Sequence, residues 1–407
     1  MNVVERFQLR EVINVTGTMT AIGASSVPPD VVAAMADVLP RFVDIDHLQA
    51  QASRIIARVT GAEAGCVSAS AASAITVAVA ASMAGMDLHM AERLPDTRGM
   101  RDEVVVQRGH MVWYGASVGQ LVRLAGATLV EVGDATRAGS YQLAGSINEN
   151  TAAALYVTSH HTVQYGLIPL EEFCRVAHER GVPVIVDAAS ESDMRSFFTA
   201  GADVACFSGH KFLAGPTAGI VAGRRDMIQA CFMHQTAGIG RPMKVGKEGI
   251  VGVMAALERW EGLDRDAVSR YERQVLEVFV DGLSGLPGTT VERLPDPTGN
   301  PIVRARLTLQ PTCAALTASE LSRALRQGDP PIAVRDHHAR DQGFVDLDPC
   351  NVTLEQAAIV VARVQTLLGA PLTDDASLRA NAPLLPTVAD LQQRSLLHWD
   401  EEVPGHG

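Results

Sequence analysis

Between residues 60 and 225, short apolar runs alternate with stretches whose apolar positions recur every three or four residues. Runs of the first kind fall at 65–67, 103–107, 128–132, 153–157, 183–186, 204–207 and 219–222. They are short and rich in valine, isoleucine and alanine, and read as strands buried on both sides. Between the fourth and fifth, residues 170–180 place Leu170, Phe173, Cys174 and Ala177 on one helical face, and Gly181 supplies a stop. Strand, helix, strand in this rhythm predicts an α/β fold, a mainly parallel sheet covered by helices. Ligands of such sheets gather at the carboxyl ends of the strands.

The helical pattern at 245–260 leads out of this large unit. Beyond it, a helix at 266–283, a strand at 303–309 and helices at 318–327 and 354–368 predict a smaller α+β domain. The expected division is 1–265 for the N-terminal segment and large domain, 266–371 for the small domain, and 372–407 for a tail with one short helix at 387–396. A length of 407 residues fits two units, because single cores rarely grow past about 250–300 residues. The most apolar stretch, 64–86, is mostly Ala, Ser, Gly and Val. Such a segment suits close packing inside a protein better than contact with lipid.

Composition narrows the function classes. Apolar residues make up 47% and charged residues 20%, enough for a sizeable core. The net charge of −12 and the lack of a long basic run argue against a nucleic acid or a membrane as partner. The cysteines Cys66, Cys174, Cys206, Cys231, Cys313 and Cys350 form no CxxC pair and no metal spacing. The first ten residues lack a signal-peptide core. A reduced, cytoplasmic setting is expected.

Three segments carry chemistry. The first is Phe207-Ser208-Gly209-His210-Lys211-Phe212-Leu213-Ala214-Gly215-Pro216-Thr217-Ala218-Gly219. A lysine among small and apolar residues loses hydration, which favours its neutral, nucleophilic amine. Taken alone, it reads first as an ordinary lysine snorkelling from a loop. The second is Pro183-Val184-Ile185-Val186-Asp187, a buried strand ending in a carboxylate. Such a carboxylate can hold a protonated ring nitrogen, or simply cap a helix. The third runs from Cys66 through Ser70, Ala71, Ala72 and Ser73 to Thr76 and reads as strand, turn, helix. Free N–H groups at a helix start bind phosphate, and Ser70 and Ser73 can add hydroxyls, though serine is also a common cap.

With these segments in view, the chain resembles the fold-type-I pyridoxal phosphate enzymes. More narrowly it resembles the SelA-like family, which includes seryl-tRNA selenium transferase and the D-glucosaminate-6-phosphate ammonia-lyase group. The similarity rests on Ser208–Gly219 and on 12–18, 94–100, 103–110, 182–187 and 238–248. The resemblance implies pyridoxal 5′-phosphate as cofactor, Lys211 as the Schiff-base lysine and Asp187 as the partner of the ring nitrogen. It implies that His110 stacks on the ring, and that Ser70, Ala71 and Ala72 hold the phosphate, helped by Ser208 or His210. It places Thr18, Arg241, Lys244 and Lys247 near the substrate, and has Arg335 hold the substrate carboxylate. It also implies a homodimer or larger homo-oligomer.

The chain departs from the resemblance at Gly209-His210-Lys211, at Ser159-His160-His161 and at His337-His338, where histidines are added. Histidine moves protons near neutrality, so His161 and His210 are candidate acids. Adjacent histidines share a metal poorly, and no metal site is expected. The reaction expected first is a lyase on a small polar amino acid, eliminating a β-substituent or ammonia. Oxygen-dependent oxidative decarboxylation or deamination is the alternative, followed by a racemase and by a non-catalytic ligand-binding relative.

Overall fold

A computed structural model describes residues 2–310 and 314–369. The tail helix expected at 387–396 and Cys313 lie outside the described residues. Twelve strands are present among them: β1 (Ile13–Val15), β2 (Ala64–Ser68), β3 (Glu103–Gln107), β4 (Thr128–Val132), β5 (Thr151–Val157), β6 (Val184–Asp187), β7 (Val204–Ser208), β8 (Gly219–Gly223), β9 (Thr289–Pro295), β10 (Val303–Leu309), β11 (Ile332–Val334) and β12 (Phe344–Leu347). They fall into two compact units.

The large unit comprises Thr18–Ser269 together with Pro295–Ile302. Its seven-stranded sheet has the order β2-β8-β7-β6-β5-β3-β4. The ladders β3–β4, β3–β5, β5–β6 and β6–β7 are parallel, and β8 runs antiparallel to both β2 and β7. Strands β2, β6, β7 and β8 are buried at every position, as the uninterrupted apolar runs require of strands covered on both faces. Alternate residues feed opposite cores. Val184 and Val186 belong to the core that holds Phe173 and Leu257, while Ile185 belongs to the one that holds Ile75 and Cys231. The apolar stretch at 64–86 resolves into β2 and the helix Ala71–Ala84, whose residues are buried on nearly all sides. Its alanines and serines let neighbouring elements approach closely.

Among the described residues, the second unit groups 2–17 with Arg270–Leu294 and with 303–310 and 314–369. It holds the antiparallel pair β10–β12 within a sheet of order β12-β10-β9, and the parallel pair β1–β11. Residues 1–17, grouped with the large domain in the sequence reading, cluster here because β1 pairs with β11. The helices Ala318–Gln327 and Leu354–Gly369 cover this core through Leu321, Leu325, Val360 and Val364. Arg304 and Asp348, both almost fully buried, pair at 2.7 Å. No helix among the described residues is long and apolar enough to cross a membrane. They contain no group of histidines, cysteines and carboxylates that could hold a metal ion.

Candidate active site

In the large unit, the carboxyl ends of β3, β5, β6 and β7 carry His110, Ser159, Asp187 and Lys211 respectively. Backbone pairing sets their mutual placement. Val157 is the register partner of Asp187, and Asp187 of Cys206, two residues before Ser208. The N–H of Thr158 donates to the carbonyl of Asp187 at 2.9 Å.

Asp187 is 3% exposed. Its Oδ1 accepts from the N–H of Ala189 at 3.1 Å, and the Tyr114 hydroxyl donates to Oδ2 across a long 3.4 Å. Burial pushes this carboxyl up from its ordinary value, against the Ala189 N–H, the Lys211 charge and the Tyr114 hydroxyl, which pull it down. A buried carboxyl so thinly solvated gains most from a cationic partner. A protonated ring nitrogen is such a partner.

Lys211 lies in the turn between β7 and β8, and its carbonyl accepts from the N–H of Ala214 at 2.9 Å. Its positive charge is felt at Asp187, at Glu191 and at His210. The imidazole of His210 sits between two hydroxyls, 3.4 Å from Ser208 Oγ and 3.2 Å from Thr20 Oγ1. Burial, then the Lys211 charge, lowers its proton affinity.

The β2-to-helix turn is tied to the end of β7 through β8. Ser70 and Ser73 cap each other: Ser70 Oγ accepts from the Ser73 N–H at 3.0 Å, and Ser73 Oγ from the Ser70 N–H at 2.9 Å. This leaves the N–H groups of Ala71 and Ala72, in the first turn of a 14-residue helix, for an external acceptor. Gly219 pairs in register with both Ser68 and Ser208. A Cβ there would lie 2.1 Å from the Ser70 carbonyl oxygen, so only glycine lets β8 bring Ser208 this close to the cap.

His110 is buried and meets Tyr156 edge-on, with ring centroids 4.4 Å apart. Burial lowers its proton affinity to about 4, so the ring is neutral near pH 7. It lines a cavity of about 330 Å³ together with Ser159, Thr162, Gln164, Tyr165 and Thr298. His161 is exposed beside this cavity, with His160 against it at 3.9 Å between ring centroids. Thr18 is half-buried, and Arg241 is exposed on the turn Arg241–Met243. Lys244 is exposed, and Lys247 donates to the carbonyl of Arg41.

Arg335 belongs to the second unit, where it follows β11 and exchanges backbone hydrogen bonds with Asp346 at 3.1 and 2.9 Å. His337 is shifted down there by burial and by Arg335. His338 lies 3.4 Å from Asp341.

Sequence reading missed Tyr114, Glu191, Asp296, Thr298 and Asn300. Nothing in Asp296-Pro297-Thr298-Gly299-Asn300 distinguishes it from a surface turn. A second carboxyl four residues after Asp187 was the only available signal for Glu191.

Comparison with known proteins agrees with this architecture. The family model described as L-seryl-tRNA selenium transferase matches residues 12–270. A D-glucosaminate-6-phosphate ammonia lyase of Salmonella typhimurium is 38% identical over 90% of this chain and 98% of its own. A 5′-C-glycyluridine monooxygenase-decarboxylase of a Streptomyces species is 35% identical over 88% of this chain and 91% of its own. A solved D-glucosaminate-6-phosphate ammonia-lyase superposes with a TM-score of 0.81 at 37% identity, covering 91% of this chain and 98% of that one. A cysteine desulfurase from Thermococcus onnurineus, 17% identical with a TM-score of 0.55, shares the fold alone. The chain has the fold of the type-I pyridoxal phosphate enzymes and belongs to the L-seryl-tRNA selenium transferase (SelA) family.

Proposed function

We propose that this chain binds pyridoxal 5′-phosphate and acts as a lyase on an α-amino acid with a polyhydroxylated chain. The observation that carries the reading is the shared sheet edge: a buried carboxyl at Asp187, the Lys211 amine, and the open N–H groups of Ala71 and Ala72 beside Ser208.

Each group has a task it is built for. Asp187 would hold the ring nitrogen of the cofactor and favour its protonated form. The N–H groups of Ala71 and Ala72 and the hydroxyls of Ser70 and Ser208 hold the phosphate. His110, kept neutral by burial, would offer the cofactor ring a face without adding charge. The bound cofactor supplies an electron-withdrawing ring that stabilises negative charge at the substrate Cα. Lys211 Nζ would hold the cofactor, and its amine is the base proposed to take a proton from the substrate Cα. His210 is engaged by Ser208 and Thr20, which favours a positioning role. His161 follows Ser159 of the cavity wall and is the better candidate to protonate a leaving group. Arg335 is proposed for the substrate carboxylate on the chemistry of its planar fork, with Arg241 and Thr18 as further candidates.

The substrate class rests on the cavity. Its hydroxyl and amide groups (Ser159, Thr162, Gln164, Thr298), set among Val157, Val163, Leu167 and Ile168, can hydrogen-bond a chain of hydroxyl groups. The two relatives, by name, act on amino-acid groups carried by a sugar framework.

The second reading is oxygen-dependent decarboxylation, favoured by the 35% identical Streptomyces relative. A panel of hydroxylated amino acids added to holoenzyme separates the two, with ammonia release and oxygen uptake followed together. Ammonia without oxygen consumption supports the lyase. Stoichiometric oxygen uptake replaces it with the second reading, and silence on the whole panel removes both. Self-assembly is proposed as well, since Leu39, Phe42, Val43 and Ile45 expose adjacent apolar surface. A monomeric mass by sedimentation rejects that part.

A further inference from the structure

Four residues past Asp187 stands a second buried carboxyl that the roles above leave unused. Glu191 is 7% exposed, and its N–H donates to the carbonyl of Ala188 at 3.1 Å. Its two oxygens face the loop 295–302 of the same unit. Oε2 accepts from Asn300 Nδ2 at 3.1 Å, and Oε1 lies 3.2 Å from Thr298 Oγ1. That same hydroxyl lies 2.7 Å from Oδ1 of Asp296, which is also buried.

Counting protons decides the direction of these bonds. A hydroxyl donates once. Of the two carboxyl oxygens facing Thr298 Oγ1, Asp296 at 2.7 Å is the closer and takes that proton. The contact from Glu191 Oε1 is then a hydrogen bond only if Glu191 itself supplies a proton. The Asn300 amide does not make up the deficit. Its nitrogen has two hydrogens for four oxygens within reach: Ser190 O at 3.2 Å, Glu191 Oε2 at 3.1 Å, Asp296 Oδ1 at 3.3 Å and Thr298 Oγ1 at 3.0 Å. A second ionised carboxylate in so donor-poor a place would be left with unsatisfied lone pairs, which is costly when buried.

Electrostatics agrees with the count. Burial is the largest influence on Glu191 and raises it, the Asp296 charge raises it further, and Thr298, Asn300 and Lys211 oppose, leaving it at about 7. The charges that reach it are those of Asp296, from the loop 295–302, and Lys211, from the β7–β8 turn. Thr298 also lines the cavity beside His110.

We propose that Glu191 carries a proton in the resting protein, donated through the Thr298 hydroxyl to Asp296, and that its ionisation tunes the charge of Lys211. Glu191 is a positioning residue for the Lys211 proton. On losing its proton to solvent, Glu191 places a negative charge within the field of Lys211 and strengthens the hold of that nitrogen on its own proton. The role of Lys211 rests on the function proposed above; the proton on Glu191 does not.

Two measurements on the full-length protein separate the two ideas. Infrared difference spectra between pH 6 and pH 8, taken without added cofactor, should show a protonated buried carboxyl that is lost on raising the pH and missing in Glu191→Gln. Asp296→Asn should move that signal's titration to lower pH. Spectra identical in wild type and Glu191→Gln, or a titration unmoved in Asp296→Asn, overturn the proposal. The second measurement adds pyridoxal phosphate and follows, by visible absorbance against pH, protonation of the Lys211 nitrogen that holds it. The Glu191→Gln midpoint should lie lower by about one unit, a tenfold loss of proton affinity, as expected for removing one nearby charge. An unchanged midpoint overturns the coupling to Lys211. Absence of any coloured species in wild type rejects the cofactor reading instead, and the infrared result still decides the Glu191 proton.

Discussion

The backbone N–H of Val157 donates to Nδ1 of His110 at 3.1 Å. An N–H donor fixes Nδ1 as the acceptor, so the neutral ring carries its hydrogen on Nε2. Nitrogen NMR of the ring should report this tautomer at pH 7, with protonation delayed to about 4. The folded ring binds its proton more weakly than an unfolded histidine at about 6.5. The contribution is therefore complete above about 6.5 and is lost as the pH falls from there through about 4. In His110→Phe this part of the acid destabilisation should disappear, as read by urea titrations at several pH values.

Glu191 works in the opposite sense. Its folded value of about 7 lies above the ordinary 4.5. The folded protein holds the proton more tightly, so this stabilisation is full below about 4.5 and is lost as the pH rises through about 7. Glu191→Gln should gain stability relative to wild type by on the order of 2 kcal/mol between pH 4.5 and pH 7. Parallel stability profiles for the two proteins would contradict the protonated state.

On the role proposed for Asp187, Asp187→Ala takes the anionic partner from the ring nitrogen and should leave the cofactor weakly bound and lower turnover at least about a hundredfold. Lys211→Ala should abolish the coloured species altogether. Equilibrium dialysis and absorbance separate weakened binding from lost covalent attachment. Full turnover in Asp187→Ala would remove that carboxyl from the mechanism.

Gly219→Ala tests the close approach of β8 to the phosphate-competent turn. Its Cβ would meet the backbone of Ser70, at 2.1 Å from the oxygen and 2.3 Å from the carbon. Backbone has to move, so a cost of about 1–3 kcal/mol is expected, together with weaker affinity for the phosphate of the cofactor. Thermal unfolding and cofactor titration read the two effects separately.

Asn300→Ala removes the amide that ties the loop 295–302 to the turn after β6. Its Oδ1 accepts from the Ser192 N–H at 2.8 Å and its Nδ2 reaches Ser190 O at 3.2 Å. Losing these buried bonds should cost about 1–3 kcal/mol and leave Glu191 with one partner fewer. Urea unfolding measures the first, and a shifted titration of Glu191 the second.

The elements nearest the chemistry were legible because local chemistry specifies them. The runs at 103–107 and 128–132 coincide with β3 and β4, and the helix expected at 318–327 spans Ala318–Gln327. Buried parallel strands need continuous apolar runs, and helices need a periodic face, so both leave a local trace. Strands β1, β9, β11 and β12 were not anticipated. β11 is three residues long, and β9 is mostly exposed with alternating polar positions, so neither gives a continuous apolar run.

The sequence alone determined the α/β class, the family, and the lysine and aspartate at the ends of neighbouring strands, because each depends on residues adjacent in the chain. Only the tertiary structure decided that β1 joins the later strand β11, and that the loop 295–302 brings Asp296, Thr298 and Asn300 to Glu191, more than a hundred residues earlier. Those contacts arise from pairing and burial between distant segments, and no local pattern of hydrophobic and polar residues encodes which distant segments will meet.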